Sequence, residues 1–309
     1  FSGTGTNMFK EEGAQQGFSS VTKSIGFSTD SITFGTIENG HLLLFETSSS
    51  RKLGEGRDCA YRCQDLESGR ELALKMYKIT NPDQRRAIFH DLYAQRSQVG
   101  KHERIVSYER VIESENTIFV LMELLNGKDL FDVICTEALT EEKARVLFRQ
   151  LLEGVQHLHR KQVIHCDIKP ENAMLLGSLE DGTANLKLID FGCSCFKEFE
   201  ADSRGCVVYD SYMPPEHVAD SKLSPSVPTD MWRLGCTLYI MLVQRPPFHN
   251  DAQTQAGLAA RQAGQLFRVP EYEALSPEAR GLIEQLICGD PSKRPTCDEA
   301  LNHPWLGLA

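Results

Sequence analysis

Apolar residues recur at steps of three and four positions between residues 140 and 163, which is the spacing of one buried face of an α-helix. The recurring positions are Ala144, Leu147, Leu151, Leu152, Val155 and Leu158. Thr140 stands just before them as the expected N-cap, and Glu141 and Glu142 follow in the first turn, where a carboxylate complements the helix dipole. The pattern predicts a long amphipathic helix, and most of the chain after it is also predicted to be helical.

Two earlier apolar runs have the length and composition of strands. Residues 72–77 and 117–122 predict buried or half-buried strands, and strands are expected to predominate between residues 51 and 125, with one helical interruption. The expected fold class is therefore α+β. A small sheet lobe at 51–125 precedes a larger, mainly helical lobe at 126–309, and ligand sites commonly lie in the cleft of such a fold.

Residues 1–50 differ in composition from the rest, because they are rich in Gly, Ser and Thr with isolated Phe residues. Two β-prone runs at 31–34 and 41–45 flank an Asn-Gly pair, which predicts a hairpin. This N-terminal extension is open to two interpretations. It is either an arm that docks on the rest of the chain or carries phosphorylation sites, or a flexible tail with a marginal hairpin.

Composition narrows the class of protein and of partner. The 309 residues are 41% hydrophobic and 25% charged, and no apolar run approaches the ~18 to 20 residues that a membrane span needs. A net charge of −10 argues against nucleic acid and favours basic peptides as partners. Ten cysteines without a Cys-x-x-Cys pair predict free thiols in a reducing compartment, hence a cytoplasmic protein. Because the chain begins at Phe1, we expect a fragment or a processed form.

The candidate chemistry lies in residues 165–172, His-Cys-Asp-Ile-Lys-Pro-Glu-Asn, and in the Asp-Phe-Gly that begins at Asp190. Asp167 can accept the proton of a hydroxyl group, and Lys169 can neutralise charge on a transferred phosphoryl group. Asn172 and Asp190 carry oxygen atoms that can hold Mg²⁺ against phosphate oxygens. Each piece alone has an ordinary alternative, such as a turn or a hydrogen-bonding loop residue. Together and in this order they predict phosphoryl transfer.

Both motifs resemble the catalytic loop and the metal motif of the eukaryotic protein kinases, and the resemblance extends from about Leu53 to Trp305. Residues 294–296 and 301–305 resemble the calmodulin- and calcium-dependent kinase group. The resemblance implies a bilobal kinase fold, with a small antiparallel sheet lobe and a larger helical lobe, and ATP and Mg²⁺ as cofactors. Protein or peptide substrates are implied as partners, and the sequence sets no oligomeric state.

The similarity also assigns structural roles. The Met-Pro-Pro-Glu that ends at Glu216 resembles the family's Ala-Pro-Glu, and Glu216 would form a buried ion pair with Arg294. Asp230 would begin the central helix of the large lobe and anchor the backbone of the catalytic loop.

On the nucleotide side, the chain around Leu53, Gly54 and Gly56 resembles the glycine-rich loop of the family. The two glycines would let the backbone approach phosphates that a Cβ would obstruct. Lys75 would contact the phosphates, and Ala73 would leave room for adenine.

Farther along the chain, backbone groups of Glu123 and Leu125 would bind adenine, and Met174 would form the floor of the pocket. One departure concerns the helix that normally supplies a Glu to the nucleotide-binding lysine. That helix has no Glu here, and Asp91 is its nearest carboxylate. Asp91 is therefore either the partner of Lys75 or a plain surface aspartate.

On the peptide side, Lys169 resembles the serine/threonine branch of the family, so the expected substrates are Ser and Thr hydroxyl groups. Glu171 and Asp129 match positions that hold an arginine N-terminal to the phosphorylated residue, and carboxylates pair with arginine strongly. We expect a preference for basic peptides, although either acid could instead be a solvated surface group.

Cysteine replaces the arginine that many kinases carry directly before the catalytic aspartate. Three further cysteines fall on or beside the same loops, and the four are Cys166, Cys193, Cys195 and Cys206. They are either a site of thiol-based regulation or four unreactive small side chains.

Two functions remain in competition. The first is an active Ser/Thr protein kinase that uses ATP and Mg²⁺, since Lys75, Asp167, Asn172 and Asp190 are all retained. The alternative is a pseudokinase scaffold that binds nucleotide or partners with little turnover, as the missing helical Glu suggests.

Overall fold

The computed structural model describes residues 19–20, 31–38, 41–53, 60–81, 88, 92, 99–113, 116–196, 211–220, 222–248, 255–266 and 268–307. The chain divides into two compact units. Unit 1 contains residues 1–100 and 106–125, and unit 2 contains residues 101–105 and 126–309.

Unit 1 is built on a seven-stranded sheet in the order β1-β6-β7-β5-β4-β3-β2. Its strands are β1 (Ser19–Ser20), β2 (Ser31–Glu38), β3 (His41–Lys52), β4 (Ala60–Asp65), β5 (Glu71–Lys78), β6 (Tyr108–Glu113) and β7 (Thr117–Glu123). Neighbouring strands are antiparallel except for β1, which pairs parallel to β6. The two strands predicted from the apolar runs, now β5 and β7, are confirmed and pair with each other.

The predicted N-terminal hairpin is also confirmed. β2 and β3 pair antiparallel from Ser31 opposite Ser48 to Glu38 opposite His41, and the Asn-Gly pair of the turn lies outside the described residues. β3 continues into pairing with β4, so the hairpin belongs to the same sheet as the strands that follow it.

Both faces of the sheet in unit 1 carry apolar side chains, because successive residues of a strand point to opposite faces. One cluster contains Phe45, Cys63, Leu72, Leu74, Ile112, Phe119 and Leu121. The other contains Leu92, Val111, Ile118 and Val120, and partly buried Met122 packs against it. Along β7 the residues alternate strictly between the two clusters, which fixes the register of the strand.

Unit 2 is mainly helical. Its α-helices are α1 (Leu130–Thr136), α2 (Glu141–Arg160), α3 (Pro215–Ala219), α4 (Val227–Val243), α5 (Gln255–Gln262), α6 (Pro270–Glu273), α7 (Pro277–Leu286), α8 (Cys297–Leu301) and α9 (Pro304–Gly307). Two small antiparallel sheets accompany them. One has the order β11-β10-β8, and the other pairs β12 with β9; their strands are β8 (Lys128–Asp129), β9 (Val163–Ile164), β10 (Ala173–Leu176), β11 (Asn185–Leu188) and β12 (Cys195–Phe196).

The helix predicted from the opening pattern is α2. Thr140 is its N-cap and accepts a hydrogen bond from the Lys143 amide at 3.3 Å, and all six recurring apolar positions are buried. The helix ends at Arg160 rather than near residue 163 because Gln162 takes a left-handed conformation, with φ of 60°, and β9 starts directly after it.

The helix α4 is buried along most of its length. A capping box between Ser226 and Thr229 starts it, and its side chains are largely apolar. Two charged residues of this helix, Asp230 and Arg233, are nevertheless without exposed surface. Buried charges need partners, and both residues have partners in the loop between β9 and β10.

Candidate active site

The backbone of the predicted catalytic loop is anchored by Asp230. Its carboxylate accepts hydrogen bonds from the amides of His165 at 2.8 Å and Cys166 at 2.9 Å, and a further bond at 2.9 Å joins it to the His159 ring. Burial opposes the ionised form, but the hydrogen bond from His159 and the nearby amides outweigh it and lower the pKa of Asp230. The predicted anchoring role is confirmed.

The carboxylate of Asp167 is held from two sides by its own loop. Lys169 Nζ lies 3.0 Å from one oxygen and 2.9 Å from the other. Asn172 Nδ2 donates to the second oxygen at 2.8 Å and to the Asp167 carbonyl at 2.8 Å. Because Asp167 is also largely buried, its side chain is fixed in one orientation. A fixed carboxylate beside a lysine is an arrangement that can orient a hydroxyl group and stabilise negative charge.

A third group near this carboxylate was missed by sequence reasoning. Arg233 lies on α4 with its side chain buried, and its Nη1 is 3.6 Å from Asp167 Oδ1. A signal was present in the sequence, since an arginine three residues after Asp230 shares a helix face with it.

Asp190 is placed beside the same loop. The amide of Ile189 donates to the Asn172 carbonyl at 2.9 Å, and Asp190 Oδ1 accepts from the Gly192 amide at 3.1 Å. Asp190 and Cys166 both have left-handed backbones, with φ of 59° and 66°. Non-glycine residues rarely adopt this conformation, and backbone strain of this kind clusters at functional sites.

The residues predicted to hold Mg²⁺ have suitable donor atoms. The Nδ2 of Asn172 is engaged with Asp167, which leaves its amide oxygen as the atom for a metal, and Asp190 contributes a carboxylate. Among the described residues no group of three His, Cys, Asp or Glu side chains could hold a metal by itself. Two oxygen donors are consistent with Mg²⁺, which usually completes its shell with water and substrate phosphates.

His165 is fully buried and packs against Phe191, with ring centroids 4.9 Å apart. Its Nδ1 accepts a hydrogen bond from the Asp167 amide at 3.3 Å, so this nitrogen carries no proton. Burial lowers the pKa of His165, which agrees with a neutral ring. The histidine therefore supports the loop as an apolar ring and a hydrogen-bond acceptor.

The two acids predicted to bind basic substrate residues lie close to the loop, together with Met174. Met174 in β10 pairs with Asp129 in β8, and Met174 is half-buried. Glu171 is exposed, yet partial desolvation raises the pKa of its carboxyl, and the charges of Asp167 and Asp129 raise it further. Asp129 Oδ1 also accepts from the Asp132 amide at 2.7 Å, so the residue is the N-cap of α1. A negative potential is thus concentrated here.

The predicted nucleotide residues of unit 1 that the structure describes lie on β5 and β7 and directly after β3 and β7. Leu53 follows β3, its amide donates to the Ala60 carbonyl at 2.7 Å, and its side chain is exposed. Gly54, Gly56 and Asp91 lie outside the described residues.

Within the sheet of unit 1, Ala73 and Lys75 are buried on β5, and Lys75 Nζ lies 5.3 Å from the centroid of the Tyr77 ring. At the end of β7, the amide of Glu123 donates to the Ser107 carbonyl at 3.0 Å, so an adenine contact from Glu123 must use its carbonyl group. Leu125 follows as a half-buried residue.

Comparison with known proteins places this geometry in a family. A family model described as the protein kinase domain matches residues 47–306. The chain belongs to the protein kinase family. It is 33% identical over 260 residues to calcium/calmodulin-dependent protein kinase type II subunit delta of Oryctolagus cuniculus, which covers 82% of this chain. The matched part is 48% of that relative, so the chain spans about half its length.

A solved structure supports the same assignment. The crystal structure of the Rad53 kinase domain and SCD2 matches with a TM-score of 0.66 and 26% identity, over 81% of this chain and 87% of that one. The α+β kinase fold, with an antiparallel sheet lobe and a helical lobe, is thereby confirmed. The resemblance to the calmodulin-dependent group is confirmed too.

The ion pair predicted from this kinase's Met-Pro-Pro-Glu motif is confirmed as well. Arg294 Nη1 and Nη2 lie 2.7 Å and 2.8 Å from the two carboxylate oxygens of Glu216. Arg294 Nε also donates to the Cys288 carbonyl at 2.8 Å. The pair links the start of α3 to the segment before α8 and is structural.

The cysteines near the catalytic loop of this kinase are mostly buried. Cys166 and Cys195 have their sulfur atoms 3.6 Å apart, and neither is in a disulfide. Burial raises the pKa of Cys193 to about 11, with a further contribution from the charges of Asp167 and Asp190. A raised pKa disfavours the reactive thiolate. Cys206 lies outside the described residues.

Across the described part of the chain, no helix combines the length and the apolar character that crossing a bilayer requires.

Proposed function

We propose that this chain transfers the γ-phosphoryl group of ATP to Ser and Thr hydroxyl groups of protein substrates, with a preference for basic residues near the phosphorylated site. The observation that carries the proposal is the carboxylate of Asp167, which contacts Lys169 and Asn172 in a loop anchored by Asp230.

Asp167 would accept the hydrogen of the attacking hydroxyl group and orient its oxygen toward phosphorus. Lys169 would move toward the negative charge that develops on the transferred phosphoryl group, because its side chain is partly exposed and flexible. Lys75 would bind phosphate oxygens of the nucleotide. Asn172 and Asp190 would hold Mg²⁺, which in this family neutralises the charge of the ATP phosphates.

The preference for basic substrates rests on the charge around the loop. Partial burial raises the pKa of the Glu171 carboxyl, and the charge of nearby Asp129 raises it further, so the two acids repel each other. A guanidinium group placed between them would remove that repulsion and form charge-assisted hydrogen bonds. Arginine in the substrate is therefore favoured over a neutral residue.

The test of the reaction is phosphate transfer from labelled ATP to a degenerate peptide library. The matched control is Asp167→Asn, which preserves the size of the side chain and the partner for Lys169 but removes the base. We expect incorporation into Ser and Thr peptides by the unaltered chain and a loss of at least ~100-fold in the variant. Equal incorporation by both proteins would refute the assignment, and nucleotide binding without transfer would favour the pseudokinase scaffold.

The test of substrate preference uses Glu171→Gln and Asp129→Asn. Asparagine is as good an N-cap as aspartate, so the second variant removes charge without disturbing α1. We expect both variants to reduce the ratio of kcat/KM for arginine-containing over neutral peptides by about 10-fold, which corresponds to one charge-assisted hydrogen bond. An unchanged ratio in both variants would assign the two acids to the solvated surface.

A further inference from the structure

The helix α4 contacts the catalytic loop through two buried charges of opposite sign. Asp230 and Arg233 are three positions apart, so they lie on one face of the helix. Asp230 binds the backbone amides of His165 and Cys166. Arg233 Nη1 lies 3.6 Å from the Asp167 side chain. One helix therefore holds both the backbone of this loop and the side chain of its base.

A buried arginine is an unusual choice for this position. The neighbouring residues Trp232 and Leu234 are fully buried and apolar, and Leu or Met at position 233 would continue that core without the cost of removing a charge from water. An isolated buried charge is unfavourable unless a partner of opposite sign compensates it. A carboxylate that compensates Arg233 is that of Asp167, so the sequence retains a desolvated cation next to the proposed base.

Asp167 has two cationic neighbours that differ in freedom. Lys169 comes from the loop itself, and 23% of its side chain is exposed. Arg233 comes from a helix in the core, and 1% of its side chain is exposed. Lysine is a mobile point charge, whereas the planar guanidinium of a packed arginine keeps its position. Only one of the two cations can leave Asp167 without unpacking the core.

We propose that Arg233 is a positioning residue that keeps Asp167 oriented while Lys169 turns from Asp167 to the transferred phosphoryl group. The inference rests on the proposed phosphoryl transfer and assigns a residue to it that the sequence motifs did not include. With Lys169 engaged elsewhere, Asn172 and Arg233 are the remaining contacts of the carboxylate. Arg233 also supplies the positive charge that keeps the carboxylate from being buried uncompensated at that moment.

The test compares Arg233→Met and Arg233→Lys with the unaltered chain in steady-state peptide phosphorylation. Methionine fills a similar volume without charge, and we expect kcat to fall by about 100-fold, the effect of misplacing a reacting group. Because substrate is bound by other residues, KM for ATP and for peptide should stay within about threefold. Lysine restores the positive charge but not the planar guanidinium with its fixed N–H donors, so kcat of this variant should be about tenfold above that of the methionine variant.

A matched control separates positioning from general destabilisation. Arg261→Met removes another arginine of unit 2 that is 1% exposed, and its contacts include Phe248, Gly257 and Ser211, none of which belongs to the catalytic loop. We expect this control to unfold more readily but to retain kcat. Wild-type kcat in Arg233→Met would overturn the proposal, and so would a loss confined to KM or equal to that of the control.

If Arg233→Met does not fold, Arg233→Lys decides the question. A reduced kcat at unchanged KM supports positioning by the guanidinium, and a kcat equal to that of the unaltered chain overturns it. Asp167→Asn distinguishes this result from a failure of the proposed function. An unaltered chain that transfers no phosphate refutes phosphoryl transfer and the role of Arg233 with it, whereas an active chain that tolerates Arg233→Met refutes only the latter.

Discussion

Replacing Glu216 by Gln should lower the free energy of unfolding by more than the loss of an exposed ion pair does. The Arg294 side chain is 0% exposed, and its Nη1 and Nη2 both donate to the Glu216 carboxylate. Glutamine can accept one of these bonds, but it turns an NH₂ group toward the other donor. Removing one partner of a buried pair costs roughly 3–5 kcal/mol.

The lower end of that range applies here for two structural reasons. Glu216 is 14% exposed, so water can reach the altered side chain. Arg294 also keeps the carbonyls of Pro228 and Cys288 and the face of the Trp232 ring, 4.9 Å away. We therefore expect a loss of about 3 kcal/mol, which raises the unfolded-to-folded ratio about 100-fold at tenfold per 1.4 kcal/mol.

Equilibrium unfolding in urea, followed by tryptophan fluorescence, is the appropriate assay. The chain has two tryptophans, and both Trp232 and Trp305 lie in unit 2, so the signal reports the unit that contains the ion pair. The control is Glu273→Gln, which breaks the more exposed pairs with Arg280 at 3.2 Å and Arg268 at 3.5 Å and should cost less than about 1 kcal/mol. A loss for Glu216→Gln no greater than that of the control would refute the reasoning.

Three further predictions follow from local features. Gln162→Gly should raise the free energy of unfolding by about 0.5–1 kcal/mol, because glycine adopts its φ of 60° without strain, whereas Gln162→Ala in the same urea assay should bring no gain. Burial lowers the pKa of His165 in the native state, so the unfolded state binds a proton first as the pH falls below 6.5. The free energy of unfolding should then decrease by up to about 1.4 kcal/mol per pH unit. An equally steep decrease in a His165→Gln variant would contradict this. Because the pKa of Cys193 is raised to about 11, alkylation by iodoacetamide at pH 7.5, followed by mass spectrometry, should be about 100-fold slower there than at exposed Cys135, and equal rates would show that the thiol is accessible and ionised.

Periodicity predicted those parts of the fold that depend on burial of one face. The helix α2 and the strands β5 and β7 follow directly from the spacing of apolar residues, because each has a core on at least one side. Periodicity did not predict the end of α2, which is set by the left-handed backbone conformation of a single exposed residue, Gln162. No pattern of hydrophobicity reports such a conformation.

The site residues that belong to a sequence motif were predicted, and a residue that reaches the site only through packing was missed. Asp167, Lys169 and Asn172 are adjacent in sequence, so one loop brings them together. Arg233 reaches the same carboxylate from a helix more than 60 residues away. Its spacing from Asp230 placed it on the same helix face, but the contact with Asp167 itself depends on how α4 packs against the loop. The N-cap role of Asp129 was also missed, although it is a local feature whose hydrogen bond joins residues three positions apart.

The N-cap at Asp129 also limits how the specificity of this kinase can change over evolution. The side chain starts α1 and, in the proposed function, attracts a basic substrate residue. Most substitutions at this position would remove the N-cap and destabilise α1 as well as change the choice of substrate, so selection would act against them. Asn, Ser and Thr retain the cap without the charge. A change of specificity toward uncharged substrates can therefore begin at this position with only these few substitutions. Each of them preserves the fold while it weakens the recognition of a basic substrate residue.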